Sequence, residues 1–299
     1  MPWTTNPKVT AVRRRSHPVD VVVEMLDGFR RHLTGRNAAV LTYYGFLTLF
    51  PLFLAASTIL GFVLESKPEW RDDLLDSAID SVPFIGDQIA SGEIGGSWIA
   101  LIIGLAGAMW GSLKAFVGIQ SAYDDTWEIP VDDRSSGGKQ RLKALIGLAA
   151  IGGSQVGNVT LAAIVDRAGL PLIGRVALIA GGLAINLAVV GIMYRFLTSA
   201  DTTWRMILPG AVFTATIYTA AQFAGTALTT RILESAESYG DFAGVIALLT
   251  WLSLHALVNL FGAELNAAIV RIEARGPLPA TAALDDPTGA EATSVATSD

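Results

Sequence analysis

Six long apolar stretches run along the chain, over about residues 38–64, 97–121, 144–165, 176–197, 206–229 and 243–270, with charged connectors between them. Each is long enough to cross a ~30 Å hydrocarbon core, which takes about 20 helical residues. The pattern predicts an all-α integral membrane bundle of six transmembrane helices. Ahead of the first stretch, Val19, Val22, Leu26, Phe29 and Leu33 recur at spacings of three and four. That places them on one face of an amphipathic helix over 19–36, with Glu24, Asp27, Arg30 and Arg31 largely on the others. Such a helix can lie in the membrane interface, as an elbow into the first span. Residues 1–18 read as a disordered basic N-terminus and 273–299 as a disordered tail rich in Pro, Ala, Thr, Ser and Asp. The membrane domain thus covers 19–272.

Within the first span, Pro51 removes a backbone hydrogen bond and predicts a kink. The connector 65–96 is acidic, and Trp70, Leu74, Leu75, Ile79 and Val82 have the spacing of a short surface helix that ends near Pro83. If the N-terminus is inside, 15 lysines and arginines fall on that side of the membrane and five on the other, with Lys114 inside a span. This bias predicts both termini in the cytoplasm. The triplet Arg13-Arg14-Arg15 resembles the start of a secretion signal, but no apolar core follows it directly, so the N-terminus reads as retained.

Composition narrows the chemistry. The chain is 52% hydrophobic, 16% charged and has a mean hydropathy of +0.48, which suits a membrane protein. It has no cysteine and three histidines, which excludes thiolate chemistry and leaves little for a histidine metal site. No cofactor is expected. A net charge of -6 argues against a nucleic-acid partner. Gly137-Gly138-Lys139 is not a phosphate loop, because Asp133 stands where its first glycine belongs and Gln140 replaces the Ser or Thr.

Polar groups inside the spans are the candidate site, because they are costly in hydrocarbon and usually face the bundle or a cavity. Thr214, Tyr218, Gln222 and Thr226 form a stripe at intervals of four, and His255, Asn259, Gly262 and Asn266 share a face of the last span. Gln155, Asn158, Asn186, Tyr218, Gln222, His255 and Asn259 would line a hydrophilic recess that accepts a lipid headgroup. The same groups could instead bond one another in a closed core. Lys114 and Glu264 are two full charges at similar depth; either they pair, or Lys114 snorkels to the interface. Gly104, Gly107, Gly111 and Gly118, and the pair Gly153 and Gly157, predict close helix packing.

The stretch from Tyr239 through Trp251, continuing to Gly262-Ala263-Glu264-Leu265-Asn266, resembles the signature end of the YihY/BrkB family of bacterial inner-membrane proteins. Asn37-Ala38-Ala39-Val40-Leu41-Thr42-Tyr43-Tyr44 and Leu49-Phe50-Pro51-Leu52 resemble its opening. The resemblance covers about residues 20–272. It implies six spans in the inner membrane, both termini cytoplasmic, and marks Tyr43, Tyr44, Pro51, Gly262, Glu264 and Asn266 as motif residues. Some members have carried the label ribonuclease BN, which the residues here do not support, and no enzyme activity is expected. Members are also linked to serum resistance and envelope-lipid export. The leading expectation is transport of a lipid or other amphipathic envelope component, with membrane lipids and an envelope protein as partners. The alternative is a membrane scaffold or partner subunit that docks through 65–96 and the N-terminal helix.

Overall fold

The computed structural model describes residues 7–66, 97–168, 171–235 and 243–276. Among them are eight α-helices and no strand: α1 (Pro7–Arg15), α2 (His17–Arg31), α3 (Thr34–Ser66), α4 (Trp98–Thr126), α5 (Gly137–Ala168), α6 (Pro171–Phe196), α7 (Trp204–Ser235) and α8 (Ala243–Arg275). The six expected long helices are present, each extending past its apolar stretch at one or both ends. Four described stretches are long and apolar enough to span a bilayer: Thr34–Ala55, Trp98–Thr126, Val176–Phe196 and Gly244–Arg275. Each long helix packs on its neighbour in sequence, and α8 returns to α3, so the six close into a ring. The expected surface helix of the acidic connector and the residues Tyr239 to Phe242 lie outside the described residues.

Burial is inverted relative to a water-soluble bundle. Ile99 is 72% and Phe50 61% exposed, and Trp98, Ile102, Ile103 and Trp110 are also outward-facing. Such a surface fits hydrocarbon rather than water. The interior holds Tyr123, Leu197, Ile207 and Leu260 together with buried polar side chains.

Glycine sets two of the helix contacts. A Cβ on Gly107 would lie 2.8 Å from the Pro51 ring, and one on Gly104 would lie 2.7 Å from the backbone nitrogen of Ala55. The glycine stripe of α4 therefore seats the Pro51 region of α3. In the same way Gly210 of α7 and Gly262 of α8 meet backbone to backbone. The pair on α5 differs from expectation: a Cβ on Gly153 would meet nothing, and one on Gly157 would make only ordinary contact with Ile185.

The N-terminal part departs from the sequence reading. Residues 7–15, expected to be disordered, form α1, because Arg13 is bound to Asp20 and Glu24 of α2. The amphipathic helix ends at Arg31 rather than continuing to 36. His32 caps it, and Leu33 turns the chain at φ 53. At the other end α8 runs to Arg275, three residues past the expected boundary, and Gly276 closes it at φ 72, a left-handed position that glycine adopts freely.

Candidate functional site

The polar groups of α4, α6, α7 and α8 meet in the bundle interior. Tyr123 donates to Asn259 Oδ1 at 2.5 Å. The Tyr194 hydroxyl donates to the Asn259 carbonyl at 2.5 Å and lies 2.9 Å from Thr214 Oγ1. Tyr218 donates to the His255 carbonyl at 2.7 Å, and the two rings stand 4.9 Å apart. Asn186 donates to Thr219 at 3.0 Å, and Asn266 accepts from the Gly210 amide at 2.6 Å. These bonds satisfy groups that would be costly if left unpaired away from water.

Asn186, Tyr218, His255 and Asn259 are thus bonded within the bundle, the closed arrangement that the sequence left as its alternative. The side chains of Gln155, Asn158 and Gln222 lie outside the described residues. Tyr43 is 56% exposed on the lipid-facing side of α3, while Tyr44 is partly buried beside it. Pro51 packs under Gly107.

A second cluster forms where α2, α4 and α8 converge. Glu264 is fully buried. Its Oε1 is 2.8 Å from His32 Nδ1 and accepts from Thr34 at 2.9 Å and more distantly from Thr126 at 3.4 Å. Its Oε2 faces Arg271 Nη2 at 3.7 Å. Arg271 also faces Glu24 at 3.4 Å and donates to the Thr126 carbonyl at 3.1 Å. Arg13 and Arg275 bracket Asp20 and Glu24 from opposite ends of the chain, each 2.7 Å from Asp20. Gly28 permits the approach, since a Cβ there would strike Glu264 Oε2 and Arg271 Nη2.

This cluster separates the two alternatives for Lys114. Lys114 is exposed and does not pair with Glu264. It continues the outward row Ile99, Ile103 and Trp110, at helical spacing, so the snorkelling alternative describes it.

α2 is turned opposite to a helix on a soluble core. Its carboxylates face the cluster, whereas Val22 and Leu26 are exposed, as is Leu33 in the turn that follows. The bridges through Arg13 and Arg275 put the first and last described helices at the same end of the bundle.

Nearby, Asp124 fastens α4 to the α6–α7 connector. It accepts from Thr198 Oγ1 at 2.9 Å, from the Ser199 amide at 2.5 Å and from Ser199 Oγ at 3.0 Å. Lys143 donates to the Thr198 carbonyl at 2.6 Å. Loss of solvent lowers the Lys143 pKa from its usual value, and Asp124 opposes that shift. At the same end lies an open, shallow cavity of about 350 Å³, lined by Arg31, His32, Arg36, Asp125, Glu128 and Arg134. Asn37 bonds the His32 carbonyl at 3.2 Å and Asp125 at 3.3 Å, and Arg134 is held 2.8 Å from Asp125. Among the described residues no group of three or more His, Cys, Asp or Glu side chains could hold a metal ion.

The sequence reading did not find this cluster or the cavity beside it. One signal was available: the excess of arginine and carboxylate in 13–31, 124–134 and 264–275. Without the fold those charges read as solvated flanks.

Helices of bilayer length, an apolar exterior and an interior of bonded polar groups define a multi-pass, all-α membrane bundle. The chain belongs to the family described as virulence factor BrkB, whose model matches residues 25–284. It is 26% identical over 261 residues to a UPF0761 membrane protein of Alkalilimnicola ehrlichii, covering 84% of this chain and 58% of that protein. It is 22% identical over 271 residues to YfkH of Bacillus subtilis, a protein described as ribonuclease-like, covering 82% of this chain and 94% of that one. The chain therefore spans little more than half the length of the first relative. No solved structure matches.

Proposed function

We propose that this protein translocates a lipid or other amphipathic envelope component across the bacterial inner membrane, with both termini in the cytoplasm. The observation that carries the reading is the cavity at the termini end of the bundle. Four basic side chains line it with two carboxylates, Asp125 beside Arg134 and Glu128 beside Arg31, which leaves Arg36 and His32 to offer positive or donor groups next to the half-exposed apolar Leu33. A site that offers cations beside an apolar surface suits a molecule with a polar head and hydrocarbon tails. In this reading headgroup capture happens at this end of the bundle rather than at mid-membrane, and the bonded polar core supports that choice. Membrane lipids are the partners in this reading, with an envelope protein to supply energy, and the chain has no catalysis of its own.

The test is reconstitution into vesicles that carry a labelled lipid in one leaflet. Exchange between leaflets that depends on the protein is the expected result. Wild-type protein that moves no lipid, alone or with its native membrane partners, would reject translocation. A second reading, a membrane scaffold, is favoured by one observation: Asn186, Tyr218 and Asn259 are all bonded inside the bundle. In that case the protein would assemble with an envelope complex without moving lipid.

A further inference from the structure

Glu128 sits at the mouth of the cavity, and its Oε1 faces three bases. Arg31 Nη1 is 2.9 Å away, His32 Nε2 3.5 Å and Arg271 Nη1 3.7 Å. Only the first distance is that of a charge-assisted hydrogen bond. His32 Nε2, Arg271 Nε and Arg271 Nη2 are buried without a hydrogen-bond partner. The His32 side chain is only 9% exposed and forms part of the cavity wall. Buried donors of this kind are costly to leave unmade. Glu128 is 48% exposed and stands at φ 57, a conformation that residues other than glycine seldom adopt. It is a rim carboxylate on an unfavourable backbone, and it serves one of the three bases well. Across the cavity Arg36 is exposed and makes no ion pair among the described residues.

We propose that this cavity binds a terminal phosphate, carried as the monoester on a membrane lipid or free in solution, and that Glu128 holds the anion's place until it arrives. A carboxylate offers two oxygens in one plane, whereas a phosphate offers three strong acceptors pointing in different directions. That geometry suits donors converging from α2, from the α2–α3 turn and from the start of α3. Arg31 and Arg36 supply guanidinium groups, which match phosphate oxygens well. His32 turns Nε2 toward the cavity, while its Nδ1 is engaged by Glu264 Oε1 at 2.8 Å. Glu128 swings outward as the anion enters, and like charge keeps the two from binding together.

The inference rests on the translocation reading for the lipid origin of the anion. The experiment reads binding rather than movement, so the two can fail separately. Full-length protein in neutral detergent is titrated by calorimetry with inorganic phosphate, with short-chain phosphatidic acid, and with short-chain phosphatidylcholine as the control. Binding of phosphate or phosphatidic acid, but not phosphatidylcholine, is expected. Preference between the first two assigns the free anion or the lipid. Arg36→Ala should weaken binding about tenfold, the effect of one lost charged hydrogen bond. Glu128→Gln should strengthen it severalfold. Both side chains are exposed, so neither change threatens the fold, and equal unfolding temperatures verify this. Failure of both phosphate and phosphatidic acid to bind, or affinities unmoved by both substitutions, overturns the site. If binding behaves as expected while wild-type vesicles move no lipid, the site stands and translocation falls.

Discussion

Glu264 of α8 lies 2.8 Å from the Nδ1 of His32, a residue 232 positions earlier in the chain. With Thr34, Thr126 and Arg271 around it, this carboxylate joins the entry to α3 with the end of α4 and the last helix.

Glu264→Ala should destabilise the bundle strongly. The change leaves His32 Nδ1 and the Thr34 hydroxyl without the buried carboxylate they face, while Arg271 keeps Glu24 and the Thr126 carbonyl; breaking a buried pair of this kind costs about 3–5 kcal/mol. Lys114→Met should shift the unfolding midpoint little, since Lys114 faces outward. Denaturation of Lys114→Met, Glu264→Gln and the double variant in detergent checks both points. The two changes should add; coupling between them would restore the Lys114–Glu264 pair.

Two glycine substitutions should have opposite outcomes. In Gly262→Ala the new methyl group would meet Thr214 Oγ1, the Tyr194 hydroxyl and the Gly210 carbonyl. Overpacking of this kind costs about 1–3 kcal/mol or more. Gly153→Ala meets nothing and should be neutral or stabilising by up to about 1 kcal/mol, the helix-propensity difference. Thermal unfolding of the two purified variants is the measurement.

Tyr123→Phe removes the donor to Asn259 Oδ1 and should cost about 1–3 kcal/mol, because the acceptor stays buried. Asn259→Leu should be at least as damaging. Stability and lipid movement measured together give the discriminating result. Parallel loss identifies a structural network; lost movement with intact folding would return these residues to a headgroup recess.

Topology provides a test that does not depend on any assay of function. Because Arg13 and Arg275 both bind Asp20, reporters fused at the two termini should read the same side of the membrane. The charge bias predicts that this side is the cytoplasm. A reporter active only outside should be silent at either terminus and active when inserted near Asp76. Activity at one terminus alone would require an odd number of crossings.

The long helices were legible in the sequence because hydrocarbon demands uninterrupted apolar runs, which hydropathy detects locally. The fit of Gly107 over Pro51 was half legible: the spacing marks a packing stripe but does not name its partner. Arg13, Glu24 and Arg271 were not legible as one cluster. Each has the local signature of a solvated flank, and only the closing of α8 onto α2 brings them together. Lys114 stays open between two alternatives in the sequence because depth along a helix says nothing of which way a side chain faces. The neighbouring row Ile99, Ile103 and Trp110 resolves that once the packing is known. Tyr218 and Asn259 were found as polar groups, but their partners are a backbone carbonyl and a tyrosine on another helix, neither of which a stripe analysis weighs.

The bonds from Asp20 and Glu24 to Arg275 also set an order of biogenesis. These carboxylates emerge from the ribosome early, and one of their partners is among the last described residues to be made. Until α8 inserts, Glu264 and Arg271 are absent, and α2 has Arg13 and Arg31 as partners for its carboxylates but lacks its main packing surface. The N-terminal helix therefore completes its docking only once α8 has been made. A chain that stops short of α8 leaves Asp20 and Glu24 with Arg13 and Arg31 alone, and Gly28 with no carboxylate to receive.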